Sequence, residues 1–201
     1  MQSTYLKLDE IKNLRRKIRK ARLALNCYEL KKAEREALTY VLKLVRARGC
    51  QHIGLYLDAF GELPTRHLMI ELIKRKKSVY LPLICSMNNS LHWQKISMQQ
   101  LRNQRFALHK LGMKQAMQSR GVLSSQLDCM IMPLVIFDEN GHRVGMGGGF
   151  YDRTLAKYPR KPIRVGYAHQ FQKSELLLQV QKWDQSLDYI CTPKMMKRFN
   201  R

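Results

Sequence analysis

The sequence has no long apolar run and no stretch typical of a secretory leader. Its longest apolar segment, Cys129–Phe137, is interrupted by Pro133, whereas a helix that spans a bilayer needs about 20 apolar residues. The first ten residues include two acids and no apolar stretch of signal-peptide length, so we expect no secretory leader. A membrane-spanning or secreted protein is therefore not expected.

The chain also lacks paired cysteines. Its five cysteines stand singly, at Cys27, Cys50, Cys85, Cys129 and Cys191. An odd number without a C-x-x-C pair fits neither a disulfide framework nor a zinc site. We expect free thiols and a reducing, cytoplasmic location.

Acidic residues are scarce, and this scarcity gives the chain an unusual charge. There are 15 Asp and Glu residues against 37 Lys and Arg, a formal net charge of +22. Such a charge attracts polyanions, so nucleic acid, an anionic membrane surface and a phosphorylated substrate are all candidate partners. Because the charge is spread from Lys7 to Arg201, rather than concentrated on one element with interleaved aromatic residues, nucleic acid is not expected as the main partner.

The chain does contain alternating helical and extended patterns. At 201 residues it has the length of one domain, predicted over residues 1–201. Apolar residues at helical spacing predict a first helix, whose strongly basic opposite face is interpreted either as a solvated surface or as an anion-binding face. That apolar stripe consists of Leu8, Ile11, Leu14, Ile18, Ala21 and Leu25. The basic face carries Lys12, Arg15, Arg16, Lys17, Arg19, Lys20 and Arg22.

Further along, helices alternate with strands. A second helix is predicted from about Glu29 to Arg48, ended by Gly49 in a left-handed conformation. Other helices are predicted over Thr65–Lys76 and Phe150–Lys157, and Gln99–Ser125 is predicted to be irregular. Strands are predicted at His52–Leu57, Ser78–Ile84, Leu91–Ile96, Leu127–Phe137, Ile163–Ala168 and Asp188–Thr192. This alternation favours a layered α/β fold with a mainly parallel central sheet and a basic N-terminal helix.

A glycine-rich turn, Arg143–Arg153, is the most informative segment. Four glycines, Gly145, Gly147, Gly148 and Gly149, leave backbone N–H groups open to a phosphate chain, and the predicted helix that follows favours negative charge at its start. The turn matches neither the dinucleotide-binding fingerprint nor the Walker pattern. From composition alone, a flexible surface loop remains the alternative.

The run from Pro133–Asp138 to Gly149–Arg153 resembles the signature of the 5-formyltetrahydrofolate cyclo-ligase family. Other matching segments are Leu14–Leu25, Tyr56–Thr65, Val79–Pro82, Val165–Ala168 and Trp183-Asp184. The resemblance implies a three-layer α/β/α sandwich and an ATP- and Mg²⁺-dependent enzyme. Such an enzyme converts 5-formyltetrahydrofolate to 5,10-methenyltetrahydrofolate and releases ADP and phosphate.

The resemblance also implies a set of site residues. Catalytic roles fall on Glu62, Arg143 and Asp152, and Mg²⁺ ligation falls on Asp152 and Asp184. ATP contacts are implied for Lys12, Arg15, Arg143, Gly145, Met146, Gly147, Gly148, Gly149, Phe150 and Tyr151. Folate contacts are implied for Leu57, Glu62, Met146, Gly147, Gly148, Gly149 and Phe150.

The residues themselves leave simpler interpretations open. Asp152 could merely favour the first turn of a helix, Asp184 could turn a loop, and Leu57 could be a core residue. The sequence also departs from the family pattern. Ile11 stands where several members have lysine, with Lys12 one residue out of register, and Met146 and Gly148 stand where many members have basic residues. The segment Gly112–Met117 has no proline where the family often shows one.

Three functions remain under consideration at this point. The first is an ATP-dependent cyclo-ligase acting on 5-formyltetrahydrofolate, with or without a polyglutamate tail. The second is a catalytically inactive, basic protein of the same fold that associates with nucleic acid. The third is a folate-binding protein without turnover. No membrane partner is expected, and the chain is expected to be a monomer or a weak homodimer.

Overall fold

A seven-stranded sheet organises the computed structural model, which describes residues 5–85, 87–104, 106–108, 114–116 and 121–200. The helices are α1 (Leu8–Leu23), α2 (Cys27–Ala47), α3 (Arg66–Lys74), α4 (Met98–Arg102) and α5 (Phe150–Ala156). The strands are β1 (Tyr5–Leu6), β2 (His52–Gly54), β3 (Ser78–Cys85), β4 (Ser90–Ile96), β5 (Phe106–Leu108), β6 (Lys114–Ala116), β7 (Cys129–Met132), β8 (Ile136–Phe137), β9 (Arg143–Val144), β10 (Ile163–Tyr167), β11 (Leu177–Leu178), β12 (Tyr189–Cys191) and β13 (Met196–Arg198).

The sheet is mainly parallel, as the sequence predicts. Its strand order is β13-β12-β10-β7-β2-β3-β4. The inner strands run parallel, and the two edge strands, β13 and β4, pair antiparallel with their neighbours. Helices flank the sheet, so the α/β class with a basic N-terminal helix is confirmed.

Side chains on the central strand β7 alternate between two cores. Cys129 and Ile131 point into a cluster shared with α2 and α3, whereas Met130 and Met132 point into a cluster that includes Leu155 of α5. All four β7 residues are fully buried. The sheet is therefore covered on both faces, which is what an uninterrupted apolar strand predicts.

The second helix begins and ends on local signals. Asn26 caps its start, because the side chain accepts from the Glu29 N–H at 2.9 Å while the Glu29 carboxylate accepts from the Asn26 N–H at 2.8 Å. Past its end, Gly49 has a φ of 65°, so the predicted left-handed glycine is confirmed.

The predicted strand Leu127–Phe137 is in fact two strands. β7 ends before Pro133, which has no N–H to continue the ladder, and β8 pairs with β9 in a separate two-stranded sheet. Between them, the carbonyl oxygens of Leu134 and Val135 accept from the Gln172 amide at 2.7 and 3.0 Å. The chain therefore leaves the main sheet at Pro133, and its freed carbonyls are satisfied by a side chain.

Two further predictions need correction. The buried residues of α1 are Ile11, Ile18 and Arg22, whereas Leu8 and Ala21 of the predicted apolar stripe are exposed. The stretch predicted to be irregular, 99–125, contains the end of α4 and the β5–β6 hairpin, although residues 105, 109–113 and 117–120 lie outside the described residues. Within the described part of the chain, no helix is both long and apolar enough to cross a membrane.

Candidate active site

A pocket of about 980 Å³ lies at the carboxyl ends of β2 and β7. Its walls come from α1, from the loops that follow these two strands, from the glycine-rich turn and from residues 179–184. This is the edge at which parallel sheets place ligands. Every residue singled out from the sequence lines it: Lys12, Arg15, Leu57, Glu62, Arg143, Gly145, Met146, Gly147, Gly148, Gly149, Phe150, Tyr151, Asp152 and Asp184.

The glycine-rich turn joins β9 to α5 through backbone conformations that other residues rarely adopt. Gly147 has a φ of 100° and Gly149 a φ of 62°. The guanidinium of Arg153, which is exposed, folds back over the turn, donates to the Gly148 and Asn89 carbonyls and stacks 5.4 Å from the Phe150 ring centre. The turn is thus shaped by its own glycines and held in place by Arg153.

Arg143 and Asp152 form an ion pair inside the pocket. Arg143 Nη2 lies 2.9 Å from Asp152 Oδ1, and their side chains are only 5% and 19% exposed. Asp152 Oδ1 also accepts from the Gln185 N–H at 3.1 Å. The Nε of Arg143 is buried and has no hydrogen-bond partner among the described residues. Arg143 therefore keeps one donor that these residues leave unused.

Asp184 lines the same pocket from a tight turn that its own side chain helps to form. Its Oδ2 accepts from the Gln181 N–H at 2.8 Å, and its N–H donates to the Gln181 carbonyl at 3.0 Å. The neighbouring Trp183 is 66% exposed and also lines the pocket. Asp184 therefore both stabilises the turn of its loop and lines the pocket.

The two basic residues predicted on α1 differ in their surroundings. Arg15 is half-buried, and its Nη1 lies 3.5 Å from the Gly145 carbonyl. Lys12 is 68% exposed and pairs with Asp9 at 3.0 Å. Arg15 is thus held against the glycine-rich turn, whereas Lys12 stands at the rim.

Glu62 is buried beside Arg22, a residue that the sequence reading wrongly placed on the solvated face of α1. Arg22 Nη2 lies 3.5 Å from Glu62 Oε1, and the side chains are 0% and 11% exposed. Burial raises the pKa of Glu62 to about 7, although Arg22 and the Ala59 N–H both lower it. Glu62 therefore changes charge near neutral pH.

His169 supports the same loop from the other side. It is 4% exposed, and its Nε2 lies 3.1 Å from the Gly61 carbonyl, to which it donates as the neutral ring. Burial lowers the pKa of His169 to about 4, although this hydrogen bond raises it. At neutral pH the ring is thus an uncharged donor that holds the loop.

The sequence reading missed the apolar side of the pocket. This wall includes Pro82 and Ile84 of β3 and Leu91 of β4. The spacing of Pro82 and Ile84, two residues apart on one strand, places them on the same face and was the available signal. Leu57 lines the pocket and also packs against the main core. Of the proline-free segment Gly112–Met117, Gln115 lines the pocket, while residues 112, 113 and 117 lie outside the described residues.

No cluster of three or more histidine, cysteine, aspartate or glutamate side chains able to hold a metal occurs among the described residues. Two carboxylates, Asp152 and Asp184, nevertheless line the same pocket. Mg²⁺ is commonly held by one or two carboxylates together with phosphate oxygens and water. The Asp152 and Asp184 carboxylates therefore fit Mg²⁺ only if a bound phosphate group supplies further oxygen ligands.

The profile of the 5-formyltetrahydrofolate cyclo-ligase family matches residues 8–193. The 5-formyltetrahydrofolate cyclo-ligase of Escherichia coli K12 is 37% identical over 180 residues, which cover 88% of this chain and 96% of that one. The protein of the same name from Haemophilus influenzae is 34% identical over 174 residues, covering 85% and 91%.

Two solved structures share the fold. The 5,10-methenyltetrahydrofolate synthetase of Aquifex aeolicus, solved by NMR, has a TM-score of 0.77 at 25% identity and covers 94% of this chain and 93% of its own. The synthetase of Mycoplasma pneumoniae has a TM-score of 0.72 at 22% identity, with coverage of 90% and 98%.

Proposed function

The chain belongs to the 5-formyltetrahydrofolate cyclo-ligase family of enzymes, and we propose that its pocket catalyses the ATP- and Mg²⁺-dependent cyclisation of 5-formyltetrahydrofolate to 5,10-methenyltetrahydrofolate. One observation carries this proposal. Residues from α1, the β2 loop, the glycine-rich turn and the Trp183 loop, distant in sequence, line one pocket that contains a buried arginine and two carboxylates. Anion-binding and cation-binding groups thus adjoin an apolar wall.

The chemistry explains why ATP is needed. An N-formyl group is a poor electrophile, and ring closure must expel its oxygen. If the formyl oxygen attacks the γ-phosphorus of ATP, ADP leaves, and the formyl carbon becomes an iminium that carries a phosphate. N10 then attacks this carbon, the C–O bond breaks, phosphate departs with the former formyl oxygen, and N10 loses its proton. The protein contributes mainly positioning and charge neutralisation.

The glycine-rich turn and two arginines would bind the triphosphate. The backbone is open at Gly145 and Gly147, where a Cβ would meet no described atom closer than 3.6 Å, so phosphate oxygens could approach the N–H groups there. Arg15, which lies 3.5 Å from the Gly145 carbonyl, and Arg143, which lines the same pocket, would supply positive charge beside the turn. These two arginines offset the missing basic residues at Met146 and Gly148 within the turn.

Asp152 and Asp184 would hold Mg²⁺ together with phosphate oxygens, where the ion would neutralise charge that develops on the transferred phosphoryl group. In the structure Asp152 is held by Arg143 and by the Gln185 N–H. These contacts fix the direction of the carboxylate, which also lines the pocket. Asp184 is fixed in the same way by the Gln181 N–H.

The folate would lie against the apolar wall, with Glu62 as its polar anchor. Leu57 belongs to the loop that carries Glu62, Phe150 follows the glycine-rich turn, and both line the pocket. In small-molecule sites, burial of apolar surface usually provides the affinity, and a few directed polar groups, here the Glu62 carboxylate, fix the orientation of the ligand. We assign Glu62 to substrate orientation during ring closure.

The test is the absorbance change on mixing the protein with 5-formyltetrahydrofolate, Mg²⁺ and ATP, since the cyclised product absorbs at longer wavelength. We expect the band to appear with ATP and not in the ATP-free control. A formyl group labelled with ¹⁸O should transfer its label to inorganic phosphate. Folded protein that produces no band would contradict the proposal, and ATP-insensitive folate binding without turnover would favour a binding protein instead.

A second function, association with nucleic acid, is favoured by one observation. The outer face of α1 exposes Arg16, Lys17, Arg19 and Lys20, in a chain of net charge +22. Binding of this kind weakens steeply with salt, because each phosphate contact releases a counterion. Titration of duplex DNA and single-stranded RNA at increasing salt tests it, and no binding at moderate salt would end it.

We propose that residues 1–201 act as one domain, because the pocket draws on α1 at one end and on Asp184 near the other. All five cysteines are free thiols, which supports the cytoplasmic location. We also predict that the chain is a monomer or a weak homodimer. We predict that it accepts substrates with or without a polyglutamate tail.

A further inference from the structure

Arg22 of α1 is wholly buried but makes no part of the pocket wall. Its guanidinium donates to the Phe60 carbonyl through Nε at 3.1 Å and Nη2 at 2.9 Å, and to the Leu134 carbonyl through Nη1 at 3.4 Å. Its Nη2 also lies 3.5 Å from Glu62 Oε1. Burying a guanidinium is costly unless its donors are used, and here they are directed at the loop that carries Glu62.

That loop has a conformation that needs support. Phe60 has a φ of 52° and Gly61 a φ of 70°, and a bulky residue at positive φ persists only where its surroundings hold it. A Cβ on Gly61 would lie 2.2 Å from the Arg22 carbonyl oxygen, so the loop touches the backbone of α1. From the other side, His169 Nε2 lies 3.1 Å from the Gly61 carbonyl.

The carboxylate of Glu62 is then fixed at both oxygens. Oε1 faces Arg22, and Oε2 accepts from the Ala59 N–H at 3.1 Å. The Glu62 N–H in turn donates to the Ala59 carbonyl at 3.0 Å. One orientation of the side chain satisfies all of these contacts together.

We propose that Arg22 is a positioning residue for the cyclisation: by binding the Phe60 carbonyl and the Glu62 carboxylate at once, it holds Glu62 in the orientation that receives the folate. The inference rests on the proposed function. Arg22 acts through Glu62 and touches neither ATP nor folate. His169 holds the same loop but contributes no charge to it.

The charges around Glu62 give this role a measurable signature. The groups that face it are Arg22 from α1, Asp58 from its own loop, and the phenols of Tyr56 and Tyr151. Among these, Arg22 lowers the pKa of Glu62, whereas Asp58 raises it. Loss of the Arg22 charge should therefore make the Glu62 carboxylate harder to ionise.

The experiment compares Arg22→Gln and Arg22→Lys with the wild type and with Lys20→Gln, an exposed change on the same helix. Steady-state kinetics with ATP and 5-formyltetrahydrofolate are measured from acid to alkaline pH, with thermal unfolding alongside. We expect Arg22→Gln to raise the folate KM by about tenfold to a hundredfold, to leave the ATP KM within about twofold, and to move the acidic limb of kcat/KM to higher pH.

Arg22→Lys separates charge from geometry. It keeps the positive charge but cannot donate twice to the Phe60 carbonyl, so the acidic limb should return toward its wild-type position while the folate KM stays raised. Lys20→Gln should match the wild type. In a Glu62→Gln background, Arg22→Lys should have little further effect on the folate KM, because the group that it positions is gone.

Several outcomes would overturn the inference. Folded Arg22 variants with a wild-type folate KM and an unshifted acidic limb would mean that Arg22 is structural only. If Arg22→Gln does not fold, Arg22→Lys still provides the test. An equal rise of the folate KM in the wild-type and Glu62→Gln backgrounds would refute the positioning role of Arg22. If the wild-type protein itself shows no turnover, the proposed function fails. If the wild type turns over and the Arg22 variants match it, only the role of Arg22 fails.

Discussion

The close approach of the Glu62 loop to α1 predicts different costs for the same substitution at two glycines. Gly61 and Gly49 both have left-handed backbones, with φ of 70° and 65°. A Cβ at Gly61 would meet the Arg22 carbonyl oxygen at 2.2 Å, whereas a Cβ at Gly49 would meet no atom of the described residues within 4 Å. Alanine at Gly49 therefore incurs backbone strain alone, and alanine at Gly61 incurs strain and a clash with backbone.

The expected free energies follow from this difference. Left-handed backbone costs an alanine about 1–2 kcal/mol, partly offset by the lower entropy of the unfolded chain. Overpacking adds about 1–3 kcal/mol at Gly61. For a protein of this size, about 1 kcal/mol lowers Tm by roughly 2–4 °C. We therefore expect Gly49→Ala to lose about 2–4 °C and Gly61→Ala roughly 4–16 °C.

Thermal unfolding by circular dichroism measures both losses, and urea unfolding checks the free energies. Gly61→Ala should also lower turnover, because relief of the clash displaces Glu62, whereas Gly49→Ala should keep wild-type turnover. Equal losses of Tm in the two variants would refute the argument, since only the contact with α1 distinguishes the two sites.

Three further substitutions test the pocket and its supports. Asp152→Asn keeps the shape of the side chain but not its charge, so turnover should fall by about a hundredfold or more, as magnesium titrations of the rate would show; wild-type turnover would remove Asp152 from the site. The change also leaves the buried Arg143 guanidinium without its charge partner, so a melting curve should show a lower Tm for a protein that still folds. Glu62→Gln should abolish the acidic limb of kcat/KM near pH 7. Because the pKa of Glu62 is raised, its protonated form stabilises the wild type at low pH, and this contribution is lost as the pH rises through about 7. In urea titrations between pH 4.5 and 7, Glu62→Gln should therefore lose less unfolding free energy than the wild type. The lowered pKa of His169 has the opposite effect. The neutral ring stabilises the folded protein above pH 6.5, and this contribution is lost as the pH falls toward 4. His169→Gln should therefore reduce the acid-induced loss of unfolding free energy by up to about 3 kcal/mol, and an unchanged acid dependence would exclude a buried neutral ring.

Local patterns in the sequence predicted much of the fold. The uninterrupted apolar run at β7 identified the central strand, because burial on both faces leaves no place for polar residues. Gly49 marked the end of α2 for an equally local reason. Pro133 marked the end of β7, but its effect was missed because the apolar residues beyond it continue the same pattern while belonging to another sheet.

The site was predicted only through family resemblance and not through spacing. The glycine-rich turn indicates a phosphate site on its own, but nothing local links it to Glu62 or to Asp184. Arg22 was missed because periodicity assigns every charged residue of α1 to solvent. Its burial depends on the Phe60 carbonyl, 38 residues away, and that partner becomes visible only when the chain is folded.

The measurement that tests the central claim most directly follows methenyl product and inorganic phosphate in the same reaction. Purified protein is mixed with 5-formyltetrahydrofolate, Mg²⁺ and ATP, and both products are measured over time, with parallel reactions that omit ATP or folate. The account predicts one phosphate for each folate cyclised and neither product when either substrate is omitted. Cyclisation without phosphate release, or phosphate release without cyclisation, would contradict it.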